Sequence, residues 1–232
     1  MIRILSIDFD YFQNVSADTL ADYPDGVDLS PQISSACWSS HYANTQIGNV
    51  TINEDELNAL MRLIERQKSV KECMIACSHK SIYDFVKDDA NAKRNNVSLY
   101  NIDMHHDMFN KNDTVDCGNW IGHLKKLTKN CEIKWVCNPV SEEVYGLDKR
   151  FQPLLLHSVT EITENRFDYI FLCRSDSWLP PHLDAKFDDL SDFLIQTLHC
   201  PIQYETRLDF DRYEACMDMK KEMEAFLNEI ER

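Results

Sequence analysis

Val97-Ser98-Leu99-Tyr100-Asn101-Ile102-Asp103-Met104-His105-His106-Asp107 is the stretch that decides the fold. Its front half is apolar and reads as a buried strand. Its back half is dense with carboxylates and imidazoles. In parallel α/β sheets, sites form beyond the carboxyl ends of the strands, so a buried strand running into such groups points to that architecture. The same form recurs along the chain. Ile2–Phe9 reads as a strand whose end carries Asp8-Phe9-Asp10. Glu72–Cys77 ends in Cys77-Ser78-His79, and Asp168–Cys173 ends in Arg174-Ser175-Asp176. Glu132–Cys137 reads as a further strand.

Helical patterns fall between these runs. Asn53 followed by Glu56 is a capping signal that opens a helix through about Gln67. Further helices are expected over Ser81 to about Asp89, Asn119 to about Lys129, Leu183–Leu198 and Arg212–Ile230. The last has apolar residues at Met219, Met223, Phe226 and Leu227. Strand–helix alternation predicts a three-layer α/β fold with a mostly parallel sheet. No repeat, low-complexity tract or linker interrupts it, so residues 1–232 are expected to form a single domain. Gln13–Ile52 shows little helical period and carries Asp22, Asp25, Asp28, Cys37, Trp38 and His41. Loops that long are usually functional or disordered, and the aromatic residues favour an ordered substrate loop that includes Trp38.

Composition narrows the function. The chain holds 24 Lys+Arg against 39 Asp+Glu, a formal charge of -15, and only 5 glycines. The glycine-built phosphate cradles, G-x-G-x-x-G and G-x-x-x-x-G-K-[ST], are missing. An acidic chain is a poor generic binder of nucleic acid or anionic membrane, because phosphate contacts need Lys and Arg. The acidity suits a cationic ligand or metal ions, as well as plain solubility. The nine cysteines are irregularly spaced without C-x-x-C, which argues against a zinc ribbon and for core thiols in a reduced, cytoplasmic protein. The first residues read neither as a signal peptide nor as an anchor, and no apolar run reaches membrane-spanning length.

Asp8, Asp10, Asp103, Asp107 and Asp176, with at least two histidines, thus arrive at one sheet edge. Crowded carboxylates raise each other's pKa unless cations neutralise them. Oxygen-rich sites with a few imidazoles suit Mn²⁺, Fe²⁺ or Zn²⁺, and the oxygen bias favours Mn²⁺. In D-x-H-x-D, alternate positions leave a strand on one face, so Asp103, His105 and Asp107 are expected to meet the same ions. Each piece also has an ordinary reading: D-x-D as a turn, His79 as a hydrogen-bonded core histidine. Their coincidence at strand ends carries the metal reading.

These residues resemble motifs of the arginase/agmatinase (ureohydrolase) superfamily, whose fold is shared with histone deacetylases. Asp103-Met104-His105-His106-Asp107 resembles its D-A-H-x-D strand end, and Ser6-Ile7-Asp8-Phe9-Asp10 its S-x-D-x-D strand end. Ser78-His79-Lys80-Ser81 resembles its G-G-D-H-S turn, and Asp116 to His123 its S-G-N-x-H stretch. The S-x-D-x-D element comes first here and last in arginases. With Cys173–Trp178, this order is similar to a family that includes the peptide arginases, which convert arginine side chains of ribosomally made peptides to ornithine. The resemblance implies two Mn²⁺ ions bridged by Asp8 and Asp103. His79 and Asp107 would complete one ion, and His105 and Asp10 the other. It further implies a histidine proton shuttle, His123 or alternatively His106. Gly118 and Asn119 would lie in the substrate-recognition loop. Asp176 is a candidate for the carboxylate that pairs with the substrate guanidinium, or else a helix cap or turn residue. The expected partner is a basic, arginine-containing precursor peptide.

Other readings stand beside this one. One is a hydrolase of a small free guanidine compound. Another is a haloacid-dehalogenase-like phosphatase using Asp8, which leaves Asp103, His105 and Asp107 without a role. A single-zinc deacetylase-type hydrolase needs fewer carboxylates than are present. A non-catalytic, metal-stabilised peptide-binding protein would keep the ligands and use the Gln13–Ile52 segment to hold a basic peptide.

Overall fold

The computed structural model describes residues 1–24, 28–42, 46–91, 95–109, 113–145 and 154–230. Asp25 lies outside these residues. Seven strands form one sheet: β1 (Ile2–Asp8), β4 (Glu72–Ala76), β5 (Asn96–Asp103), β6 (Asn130–Cys137), β7 (Leu155–Leu156), β8 (Tyr169–Cys173) and β9 (Ile202–Tyr204). Their order is β7-β6-β5-β1-β8-β4-β9, and every neighbouring pair runs parallel. A two-stranded antiparallel ribbon, β2 (Gln13–Asn14) with β3 (Thr51–Ile52), stands apart from it.

Period-two alternation sorts the strand residues onto two faces. Leu5, Ile7, Ile170 and Leu172 meet α3 (Glu54–Glu65) and α7 (Asp184–Thr197) through residues such as Leu60, Ile64, Phe187 and Leu194. Ile4, Leu99 and Phe171 meet α4 (Ser81–Asn91) and α5 (Trp120–Leu127) through Ile82, Val86, Ile121 and Leu124. The fold is therefore the expected α/β architecture of three layers. The Asn53 carboxamide accepts from the Glu56 N–H, so the capping signal does open α3.

The Gln13–Ile52 segment corrects the sequence reading. Its described part is not a long loop: it holds α1 (Ala17–Ala21), α2 (Pro31–His41) and the two ribbon strands. Trp38 is fully buried among Leu20, Tyr23 and Met104, so it is a core residue rather than part of a substrate surface. The remaining helices are α6 (Pro139–Tyr145) and α8 (Arg212–Ile230). The first turns of α8 pack inward through Arg212 and Cys216, whereas Phe226, Leu227 and Ile230 near its end are exposed despite their apolar spacing.

β1 lies between β5, reached later in the chain on one side, and β8 on the other. This is where strand order reverses, and a cleft at such a point is the usual place for a site. Ile7 is level with Ile102, so Asp8 and Asp103 end adjacent strands at one height.

Candidate metal centre

The strand ends bring Asp8, Asp10, His79, Asp103, His105 and Asp107 together, and all six side chains are buried. They divide into two groups. In the first, His79 Nδ1 faces Asp8 Oδ2 at 3.1 Å, Asp103 Oδ2 at 3.1 Å and Asp107 Oδ2 at 2.9 Å. In the second, His105 Nδ1 faces Asp10 Oδ2 at 3.1 Å and Asp103 Oδ1 at 3.5 Å. Asp103 thus sends one oxygen to each group.

The route to this convergence differs from simple strand alternation. β1 ends at Asp8, and Asp10 sits in a 3-10 turn, Phe9–Phe12, in which the Asp8 carboxylate accepts from the Asp10 N–H. β5 ends at Asp103, and the chain then turns, with Asp107 at φ 52° in the left-handed region. That region is strained for most residues with a side chain, although aspartate visits it more readily than most. A straight continuation would point Asp107 along the strand; the turn folds it back over His79.

Hydrogen bonds fix the acid groups from behind. The Asp10 N–H donates to Asp8 Oδ1 at 3.2 Å, and the Met104 N–H to Asp10 Oδ1 at 3.3 Å. Asp103 accepts from the His105 N–H at 2.7 Å and from Asn101 Nδ2 at 3.1 Å. The Trp120 indole donates to Asp107 Oδ2 at 2.5 Å. Ser6 Oγ lies 2.6 Å from His79 Nε2. With Nε2–H donating to Ser6, Nδ1 turns its lone pair toward the carboxylates, the arrangement that orients a ligating imidazole. Ser6 stands two residues before Asp8 and so leaves the strand on the same face, a signal the sequence carries. Trp120 carries none, because it stands thirteen positions along the chain from Asp107.

The donor set fits divalent cations. Asp10 Oδ2 and His79 Nδ1, which face into the cluster, are buried without a well-formed hydrogen bond, as are Asn101 Oδ1 and, on the ring edge away from Asp10 and Asp103, His105 Nε2. Buried polar atoms are nearly always satisfied, so two orphans facing into one cluster need an explanation, and a cation supplies it. Asp8, His79 and Asp103, and likewise Asp10, Asp103 and His105, offer ligand atoms close enough to share an ion.

Without a cation the cluster is electrostatically strained. Burial, then the charges of Asp8 and Asp103, push the Asp10 carboxyl up to about 8. Burial and Asp103 likewise hold Asp107 well above the usual range. For Asp103, burial acts upward, but His105 and His79 outweigh it and hold the group low. For both histidines burial acts downward, and the surrounding carboxylates outweigh it and raise them. Raised groups keep protons in the native state that the unfolded chain has lost, so stability falls as pH rises through that window. The metal-free protein is expected to lose thermal stability between about pH 5 and pH 8. Below the usual carboxylate value of 3.8 the trend reverses, because the unfolded chain protonates this carboxylate while native Asp103 is held low and ionised. Added Mn²⁺ should flatten the neutral decline. Calorimetric scans with chelator and with Mn²⁺ measure it, and a chelated protein equally stable at both pH values would contradict it.

Aromatic rings close the centre. Trp178 lies 4.5 Å from the His105 ring, Tyr145 5.4 Å and Phe109 6.3 Å. A cavity of about 10 Å³ beside His79 is lined by Asp28, Ser78, Cys117 and Trp178, room for about one water molecule. Asp28, whose carboxylate accepts from Ser78 Oγ at 2.6 Å, places acid at its rim.

Of the other expected site residues, Asp176 lines this same cavity. Both oxygens of Asp176 are taken by the chain's own Arg174, at 2.6 Å from Nε and 3.2 Å from Nη2, so its carboxylate is an internal partner and not a free receptor for guanidinium. Asn119 is buried and spends its carboxamide on Asp116 and the Thr114 carbonyl, organising its own loop. Gly118 belongs to the same turn, where its N–H donates to Asp116 Oδ1 at 3.0 Å. His123 lies on α5 with its ring edge-on to Tyr83 of α4 at 6.2 Å. His106 stacks on Phe109 at 3.8 Å and accepts the Met108 N–H at Nδ1. Among the described residues no helix is long and apolar enough to cross a membrane. No family model, curated protein or solved structure matches the chain.

Proposed function

We propose that the chain is a Mn²⁺-dependent guanidine hydrolase acting on arginine side chains of a ribosomally made peptide, leaving ornithine and releasing urea. The supporting observation is the shared Asp103: two groups of buried acid and imidazole ligands joined by one carboxylate form a two-ion arrangement. Asp8, His79, Asp107 and Asp103 would hold one ion, and Asp10, His105 and Asp103 the other. When bound, such ions supply Lewis acidity and lower the pKa of water toward neutrality.

The chain's own residues do the rest. Ser6 and Trp120 hold His79 and Asp107 in place. Trp178, Tyr145 and Phe109 exclude bulk water. The acidic rim at Asp28 and the -15 net charge draw in a cationic side chain. Hydrolysis breaks one guanidinium C–N bond; water adds to carbon, urea leaves, and the departing amine takes a proton. We assign the proton donor to His106, which follows His105 in the chain and whose stacking partner Phe109 also reaches His105. A ribosomally made peptide places the reaction in the cytoplasm.

Mass spectrometry tests the activity: Mn²⁺-loaded protein should remove about 42 Da per arginine from a precursor peptide, the difference between urea leaving and water entering. Urea from free guanidine compounds alone would restrict the substrate to small molecules. No urea from either would leave a metal-stabilised peptide binder. His106→Ala should slow urea release by about 100-fold with ion content unchanged, whereas His123→Ala should change it little. Equal loss in both variants would count against this assignment of the proton donor.

A further inference from the structure

We infer that Cys137, Glu142 and His157 form a separate mononuclear site for a thiophilic divalent cation of the zinc class. Three elements supply it. Cys137 closes β6, Glu142 lies on α6, and His157 directly follows β7. Cys137 Sγ is 3.9 Å from His157 Nδ1, and that nitrogen is 2.7 Å from Glu142 Oε1. All three ligand atoms lie within 4.8 Å of one another.

Zinc takes thiolate at about 2.3 Å and imidazole at about 2.0 Å, so two such ligands on a tetrahedral ion stand roughly 3.5 Å apart. The sulfur–nitrogen separation is within a few tenths of that. The His157–Glu142 pair must part slightly to admit an ion. Their side chains are 58% and 37% exposed, so they are free to do so. The buried Cys137 supplies the fixed point. The His157 N–H donates to Glu161 Oε1 at 2.9 Å, which steadies the loop that presents the ring. A fourth position faces solvent and would take water, and the thiol proton leaves to solvent as the ion binds.

The donor chemistry separates this site from the carboxylate cluster. Thiolate with imidazole selects zinc or cobalt, whereas the oxygen-rich cluster suits manganese. None of the three residues belongs to the larger cluster, so the inference stands whether or not the chain hydrolyses guanidines. Occupancy would tie α6 to the end of β6. Tyr145, the last residue of α6, packs 5.4 Å from His105, so the tie also steadies one wall of the larger centre.

Cobalt titration of the full chain, preloaded with Mn²⁺, reads the site directly. One thiolate-to-cobalt charge-transfer absorption per chain is expected, lost in Cys137→Ser and retained in Asp10→Asn. Losing even an outer partner of a metal ligand costs 10–100-fold, so His157→Ala, a surface change that leaves the core intact, should weaken zinc binding by at least about 100-fold. Absorption that is absent from the wild type, or that survives Cys137→Ser, would overturn the proposal. Unchanged zinc affinity in folded His157→Ala would do the same.

Discussion

Asp103→Asn should empty both halves of the carboxylate cluster at once. The side chain is fully buried, and its two oxygens face different histidines. Asparagine keeps the shape but carries no charge, and its nitrogen donates where an ion needs an acceptor. Asp107 and Asp10 each face a single histidine, so Asp107→Asn and Asp10→Asn should each weaken one ion and spare the other. Elemental analysis of Mn²⁺-loaded protein is therefore expected to fall from two manganese ions per chain to none in Asp103→Asn, and to about one in each of the others. Urea release should drop at least about 1,000-fold in Asp103→Asn, equivalent to about 4 kcal/mol of lost transition-state stabilisation. Circular dichroism checks that the fold survives. Full ion content in folded Asp103→Asn would sink the shared-ligand arrangement, and with it the two-ion proposal.

Much of this centre was legible because strand ends in parallel sheets are where functional groups collect. The buried strands are strongly apolar, and their periodicity left little doubt about type. The failures have specific physical causes. In α2 the inward face is Pro31, Ser34, Ser35, Trp38 and Ser39, which keep a helical spacing but use serine where apolar residues are expected. Those serines are satisfied by backbone carbonyls: Ser35 donates to Pro31 and Ser34 to Asp176, the latter at 2.5 Å. A hydrophobicity pattern cannot report a helix whose buried face is polar. Ser30 followed by Pro31, a capping residue with proline at the first helical position, was the signal that could have found it. Asp176 failed for a different reason. It stands in the strand end Arg174-Ser175-Asp176, and Arg174, two residues before it, pairs with it. An acid with an arginine at such spacing has an internal partner to be considered before any ligand. Asp107 meets His79 by a turn through positive φ and not by the strand alternation that D-x-H-x-D suggests.

Arg212→Met should cost about 3–5 kcal/mol, the usual consequence of breaking a buried, fully bonded ion pair. Total stabilities of about 5–15 kcal/mol make that a large fraction. Arg212 is fully buried at the start of α8 and joins four parts of the chain. It pairs with Asp184 through Nε at 2.9 Å and also through Nη2. Its Nη1 donates to Ser34 Oγ at 3.2 Å and to the Asp176 carbonyl at 2.5 Å, and Nη2 to the Leu179 carbonyl at 3.1 Å. Methionine fills similar volume but leaves the buried Asp184 carboxylate only Arg174, 3.7 Å away, and takes from the Leu179 carbonyl its Arg212 donor, while the Asp176 carbonyl keeps Ser34 and Trp38. Urea unfolding should show a lower midpoint with an unchanged slope. Adding Asp184→Leu removes the stranded charge and should recover part of the loss, a coupling that independent sites would not show. A loss within about 0.5 kcal/mol, the range of surface changes, would mean the network does not hold the fold together. The effect should also reach the metal centre. Ser34, Trp38 and Arg212 all donate to the Asp176 carbonyl, which anchors the turn carrying Ser175 at φ 60° and Trp178 against His105. With one of those three donors gone, that turn loosens, and Mn²⁺ should bind more weakly to folded Arg212→Met even though no ligand has been touched.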